Sequence, residues 1–373
     1  MKAIGVILAG GNNHRLESLT TISGRAVAAM PIGSGYRAID FPLSSMSNSD
    51  INKIAVIVQF NSSSLYDHLS SSKWWNLGRK RGGLFIFSPY SSNYENPIYR
   101  GTANAMYQNL KFFQRSNHEY VIISSGDAIY KMDFNDLIKY HKNKENDITI
   151  VYKKTEDGED IRKFGVISID EDENITDIEE KPLKTDSRNI SLGIYIIERK
   201  LLIELLETAN KENRHDFVND IIIRYRKVLK LGGFKFDGYW STLNSVNAYY
   251  KTNMDFLKKD IRYFFTKEYP YISTKTRDEP PVKYNRDAIV KNSIVSGGSI
   301  IDGTVENSVI FSNVYVGQNV TVKNSILMSG SYISNDNILE NVILDKNVKT
   351  KESLILKGEE NNPVIVGKDH IFY

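Results

Sequence analysis

Cysteine is absent from all 373 residues, which excludes disulfides and thiolate metal sites and fits a reducing compartment. Neither sign of charge dominates. The 48 Lys and Arg stand against 45 Asp and Glu, so no pull toward nucleic acid or a membrane surface is implied. No apolar run approaches the ~20 residues that span a bilayer. The apolar start, Ile4–Leu8, is short and runs straight into glycines, unlike a secretory signal. These absences lead to the expectation of a soluble, cytoplasmic protein. What is present is 41% hydrophobic residues in a chain long enough for two domains.

Residues 1–257 alternate short apolar runs with helical patterns. Strands are expected at Ile4–Leu8, Ile54–Phe60, Tyr120–Ser124, Ile148–Tyr152 and Leu192–Ile197, and helices at Thr102–Gln114, Phe134–Lys142, Lys200–Ala209 and Phe217–Arg226. Strands alternating with helices predict an α/β domain with a mostly parallel, covered sheet, whose ligands collect at the carboxyl ends of the strands. Residues 258–285 mix charges, tyrosines and the pair Pro280-Pro281, and read as a linker. Beyond them "VKNSIV", "VENSVI", "VKNSIL" and "LENVIL" recur at spacings of 15, 17 and 17 residues, close to three six-residue rungs per coil. Residues 286–373 are therefore expected to form a parallel β-helix of hexapeptide type. The in-phase Asn292, Asn307, Asn324 and Asn341 count against an ordinary meander.

Several stretches have the chemistry of an anion site. Gly10 and Gly11 follow the first strand and let backbone N–H groups approach a phosphate, with Arg15 placed to lie across it. Asn13 stands where a third glycine might be, and Asn tolerates the left-handed backbone of such a turn. In "SSGDAIY", Asp127 follows a strand and a glycine, a position suited to Mg²⁺ held by carboxylate and substrate phosphate. Gly101 and Thr102 open a helix whose N-terminus favours phosphate. In "EEKP", Glu180 can accept from sugar hydroxyls and Lys181 can meet a phosphate. Each motif taken alone also suits a plain turn, a helix cap or a solvated charge cluster.

Taken in order, "LAGGNNHRL", "YRAIDFPLS", "WWNLGRKRGGL", "YRGTANAMYQN", "SGDAIYKMD", "FGVI", "EEKP", "SLGIY" and "HDFVNDII", followed by the β-helix repeats, resemble the bacterial glucose-1-phosphate adenylyltransferases over essentially the whole chain. The resemblance implies a Rossmann-like nucleotidyltransferase domain, a left-handed β-helix, and formation of ADP-glucose and pyrophosphate from ATP and glucose 1-phosphate with Mg²⁺, in glycogen biosynthesis. It further implies that Gly10, Gly11 and Arg15 hold the ATP phosphates and that Gln59, Gly101, Thr102 and Gly126 surround the nucleotide. Asp127 would hold the metal, and Tyr99, Gly165, Glu180, Lys181 and Ser191 would face glucose 1-phosphate.

Departures from the family pattern fall on the chemistry. Asn13 replaces a glycine, Val27 the lysine of "K-P-A-V", Ala128 the histidine of "S-G-D-H", and Gly35 a lysine associated with effectors. In "WSTLNS", Thr242 takes the place of a second metal carboxylate and Asn244 that of a glycine. Phosphoryl-type transfer depends on positioning and on neutralising charge, so these losses leave Mg²⁺ retention in doubt and Arg15 vestigial as a catalytic group. The profile resembles the family's non-catalytic regulatory subunits. The expected partner is a catalytic paralogue in a hetero-tetramer, with glucose 1-phosphate, and ATP or an effector, as ligands. An active homo-oligomer using Arg25 in place of the missing lysine, and a sugar-phosphate sensor without a catalytic partner, are the alternatives.

Overall fold

A computed structural model describes residues 3–11, 14–21, 23–78, 82–89, 98–156, 160–276 and 278–373. Asn13 lies outside the described residues.

Among the described residues, nine strands form the central sheet: β1 (Ala3–Leu8), β2 (Lys53–Ile57), β3 (Gly83–Phe87), β4 (Tyr120–Ser125), β5 (Ile148–Lys154), β6 (Gly165–Ile169), β7 (Ile175–Glu180), β8 (Asn189–Glu198) and β9 (Leu231–Lys235). The order runs β7-β6-β8-β4-β1-β2-β3, with β5 pairing β8 and β9 off that path. Strands β3, β2, β1 and β4 are mutually parallel, whereas β8 runs antiparallel to β4, β5 and β6. Period-two alternation explains why β1 has no polar residue: Ile4 and Val6 enter the core on one face of the sheet, Ala3 and Ile7 the core on the other.

The helical expectations shift in detail. The run expected at Thr102–Gln114 breaks at Asn109, into Thr102–Gln108 and Leu110–Gln114. Asn109 sits off the helical backbone there, and its amide donates to Ala105 O and the Tyr99 hydroxyl. The run at Phe217–Arg226 contains a π-helical turn, Val218–Ile223. The strand expected at Ile54–Phe60 begins one residue earlier and ends sooner, since β2 spans Lys53–Ile57, although the buried Val58 still donates its N–H to Phe87 O at 2.8 Å.

From Lys283 onward, short strands stack into three parallel sheets. Val290 pairs with Val305, Val305 with Val322 and Val322 with Leu339, one rung per coil and in register. This is the arrangement expected of a left-handed β-helix. Asn292, Asn307, Asn324 and Asn341 all have left-handed φ angles of 41 to 53°, so each repeat turns a corner on the residue type that tolerates it best after glycine. The serines that follow them lace the coils: Ser293, Ser308 and Ser325 Oγ accept from the N–H of Ser308, Ser325 and Val342 in turn.

A third apolar core joins the two parts. Met30, Phe41, Tyr249, Phe256 and Phe265 pack there with Val309, Phe311, Ile326, Met328 and Ile343 of the β-helix. Phe265 comes from a helix, Lys259–Thr266, within the stretch that reads as a linker, and it is wholly buried. No helix among the described residues is long and apolar enough to cross a membrane.

Candidate functional site

Strand register decides where the site forms. Leu8 pairs with Ser125, so β1 and β4 end at the same edge of the sheet. Gly126 donates its N–H to Leu8 O at 2.9 Å, and a Cβ on it would lie 3.1 Å from that of Ala9 and 3.2 Å from that of Ala28. Glycine is what lets these two turns touch. Asp127 follows at the rim. The short strand Ala128–Tyr130 then pairs antiparallel with Trp240–Thr242, putting Thr242 opposite Ala128. On the other wall, β6 and β7 pair so that Gly165 faces Glu180, whose Oε2 would be 3.0 Å from a Cβ at Gly165.

These edges enclose two adjoining clefts. The larger, of about 510 Å³, is lined by Gly11, Arg15, Val27, Ala28, Asp127, Arg162, Lys163, Lys181, Thr242 and Asn244, among others. The smaller, of about 260 Å³, is lined by Gly165, Glu180, Ser191, Tyr195 and Trp240. Ser125, Asp127, Lys163, Phe164 and Thr242 line both, so the two are continuous.

Among the described residues that line the larger cleft, Asp127 is the only acidic one and four are basic. Burial pushes its carboxyl above the usual carboxylate range, and a hydrogen bond from the Ser125 hydroxyl opposes that rise. Lys181 Nζ lies 3.1 Å from Glu180 Oε1. The Lys181 backbone has a left-handed φ of 50° and is fixed by its N–H bond to Phe164 O at 3.1 Å. Magnesium is ordinarily held by one or two carboxylates together with substrate phosphates and water. The described donors at this rim are one carboxylate, Asp127, which also takes the Ser125 hydroxyl, and the neutral hydroxyl of Thr242; with substrate phosphates they would make up a minimal set of this kind.

Of the residues singled out in the sequence, the clefts bring together Gly11, Arg15, Asp127, Gly165, Glu180, Lys181 and Ser191. Gly10, Gln59, Tyr99, Gly101, Thr102 and Gly126 are not among their lining residues. Gly10 packs against Gln59, whose Oε1 accepts from the Tyr99 N–H at 2.7 Å. Tyr99 is 8% exposed, and its hydroxyl accepts from Asn109. The N-terminus of the helix Thr102–Gln108 already has acceptors: Ala103 and Asn104 N–H both donate to His215 O, while Thr102 Oγ1 accepts from Phe217 N–H. Arg25 is 3% exposed and is not among the lining residues either, its guanidinium donating to Asp345 at 2.8 and 3.4 Å.

Arg162, Lys163 and Trp240 are absent from the reading of the sequence. The signal for the first two was the basic pair immediately before "FGVI", on the loop entering β6. Trp240 Nε1 is buried without a hydrogen-bond partner beside the smaller cleft, a donor suited to a ligand oxygen.

Comparison with known proteins agrees with this architecture. Residues 4–259 match the Nucleotidyl transferase family, and residues 280–362 match the GlmU-like C-terminal hexapeptide family. The chain is 39% identical over 334 residues to a glucose-1-phosphate adenylyltransferase of Clostridium perfringens, covering 88% of this chain and 84% of that protein. It is 36% identical over 325 residues to one from Geobacillus stearothermophilus, covering 86% and 83%. With the Bacillus cereus protein of the same name, identity is 33% over 363 residues, 96% of each chain.

Proposed function

The chain belongs to the glucose-1-phosphate adenylyltransferase family, and we propose that within it this protein is a regulatory subunit, catalytically weak by itself, that assembles with a catalytic paralogue into a hetero-tetramer. The observation that carries this reading is the larger cleft. Asp127 faces a neutral Thr242 there, and the wall that bears the family's lysine presents Val27. Loss of one preorganised electrostatic contact costs on the order of 10²–10³ in rate, and two such losses leave little catalysis. The rest of the two clefts keeps groups suited to a sugar phosphate: Glu180 and Ser191 meet around Gly165 in the smaller, and Lys181 lines the larger. A ligand held there without reaction biases a partner through the shared interface.

The alternative of an active homo-oligomer rests on a substitute for the missing lysine. Arg25 supports it poorly, because its guanidinium is occupied by Asp345. Such an enzyme would draw on Arg162 and Lys163 instead.

The test is the synthesis of ADP-glucose by the purified chain, alone and mixed with a catalytic paralogue, with Mg²⁺-ATP in excess. The expected result is negligible turnover alone, a mixed complex by mass, and a changed glucose 1-phosphate saturation curve for the partner. Turnover of ~1 s⁻¹ or more by the chain alone supports the enzyme reading instead. Separate homo-oligomers with an unchanged curve remove the regulatory one.

A further inference from the structure

Three parallel sheets make up the β-helix, and their outer faces differ. One is covered, since Val309, Ile326 and Ile343 pack into the core shared with the α/β domain. On the second, Lys291, Glu306, Lys323, Glu340 and Lys357 stand in register on successive rungs. Signs alternate along that column, so each charge has an opposite one beside it on its own face.

The third face is apolar at its centre. Its outer column runs Lys283, Ile300, Tyr315, Tyr332, Lys349 and Ile371, each paired in parallel with the next. Ile300, Tyr332 and Ile371 are exposed, and the Tyr315 and Tyr332 rings stack with centroids 4.7 Å apart. Two residues further along the rungs, Asp302, Gly317, Ser334 and Lys351 make a second column on the same side. Within the chain, Asp302 takes the Asn285 amide and Lys351 donates to Tyr373 O.

This pattern is complementary to itself. Laid face to face and end for end, with a two-fold axis between the Tyr315 and Tyr332 rungs, one copy sets Tyr315 against Tyr332 of the other and Ile300 against Lys349. In the second column Asp302 then meets Lys351, and the small Gly317 and Ser334 meet beside the rings. A slip of one rung opposes Lys283 to Lys349, or leaves Asp302 facing Tyr373 with no base. A parallel arrangement lays Ile300 on Asp302 and Lys349 on Lys351. We propose that this face joins two copies of the chain, antiparallel, about that two-fold. The joint goes beyond the regulatory reading, because it pairs like with like and stands whether or not the chain turns over substrate.

Engineered cysteines test the register, in a full-length chain that has none of its own. Residues 300 and 349 lie three rungs apart, ~14 Å, too far for a disulfide within one chain. Under mild oxidation the double variant Ile300→Cys/Lys349→Cys is expected to give a covalent dimer, and each single variant about tenfold less or none. Light scattering on Tyr332→Glu is expected to show the mass of the assembly fall by half, with thermal unfolding checking that the variant is folded. Asp302→Lys is expected to do the same, and adding Lys351→Asp to restore the dimer. A single variant that cross-links to itself, a folded double-cysteine variant that stays uncoupled, or a folded Tyr332→Glu of undiminished mass overturns the proposal. So does a wild-type chain that is monomeric alone and gains mass only with a catalytic paralogue, which would give the face to that partner.

Discussion

Arg25 and Asp345, 320 residues apart in the chain, meet as a buried ion pair at 2.8 Å, with a second contact at 3.4 Å between the same groups. Arg25 lies two residues before Val27, on the turn that forms one wall of the larger cleft, and Asp345 lies on a coil of the β-helix. The pair therefore ties the cleft to the β-helix directly, inside the third apolar core.

Breaking that pair from one side leaves a charge buried without its partner. Asp345→Ala is expected to destabilise the protein by about 3–5 kcal/mol, whereas a double replacement of Arg25 and Asp345 by Met and Leu should recover most of that loss. Denaturant unfolding of the two variants measures the difference. Equal destabilisation of the single and double variants would argue that packing, not charge, holds the joint.

Gly101 is expected to be structural and not a nucleotide contact. A Cβ there would meet the carbonyl oxygen and carbon of His215 at 2.5 and 2.8 Å, backbone atoms that cannot move aside. Gly101→Ala should cost about 1–3 kcal/mol of stability, the scale of overpacking, with ligand affinity unchanged below its melting temperature. Weaker nucleotide binding at unchanged stability would return Gly101 to the binding site.

Lys181→Ala should weaken glucose 1-phosphate binding by about 1.5 kcal/mol, the lower end for a charge-assisted hydrogen bond, because the lysine is well exposed and already pairs with Glu180. Titration calorimetry reads this directly. An unchanged affinity would place the phosphate elsewhere in the cleft.

His141 sets an acid limit on stability. Burial lowers its pKa from 6.5 to about 4, opposed by the more distant Asp147 and Glu119, and its Nδ1 lies 2.8 Å from Thr149 Oγ1. The fold thus holds the ring neutral. The unfolded chain binds the extra proton between pH 6.5 and about 4, so stability is full above that window and falls as pH drops through it, by about 3 kcal/mol in all. Unfolding midpoints from pH 7 to pH 4 should flatten in His141→Gln, and a wild-type midpoint independent of pH over that range would refute the assignment.

Local periodicity carried the architecture because each repeat or strand repeats its own evidence. The spacing of Asn292, Asn307, Asn324 and Asn341 marks a corner each time, and the apolar alternation of Ile4–Leu8 marks a strand covered on both faces. The neutral residues Val27 and Thr242 were equally legible, since each is a single position inside a longer motif.

Contacts between distant segments left no such mark. Nothing near Arg25 in sequence points to Asp345, and nothing near Thr102 points to the His215 carbonyl that occupies the neighbouring N–H groups. The basic pair Arg162-Lys163 looks like any solvated loop until the pairing of β6 with β7 turns it into the wall facing Asp127. The sequence alone determined the kind of fold, because it is written in local residue patterns. Only the tertiary structure decided which charges share a cleft and which are buried against each other, because charge acts over a few ångströms of space regardless of separation along the chain.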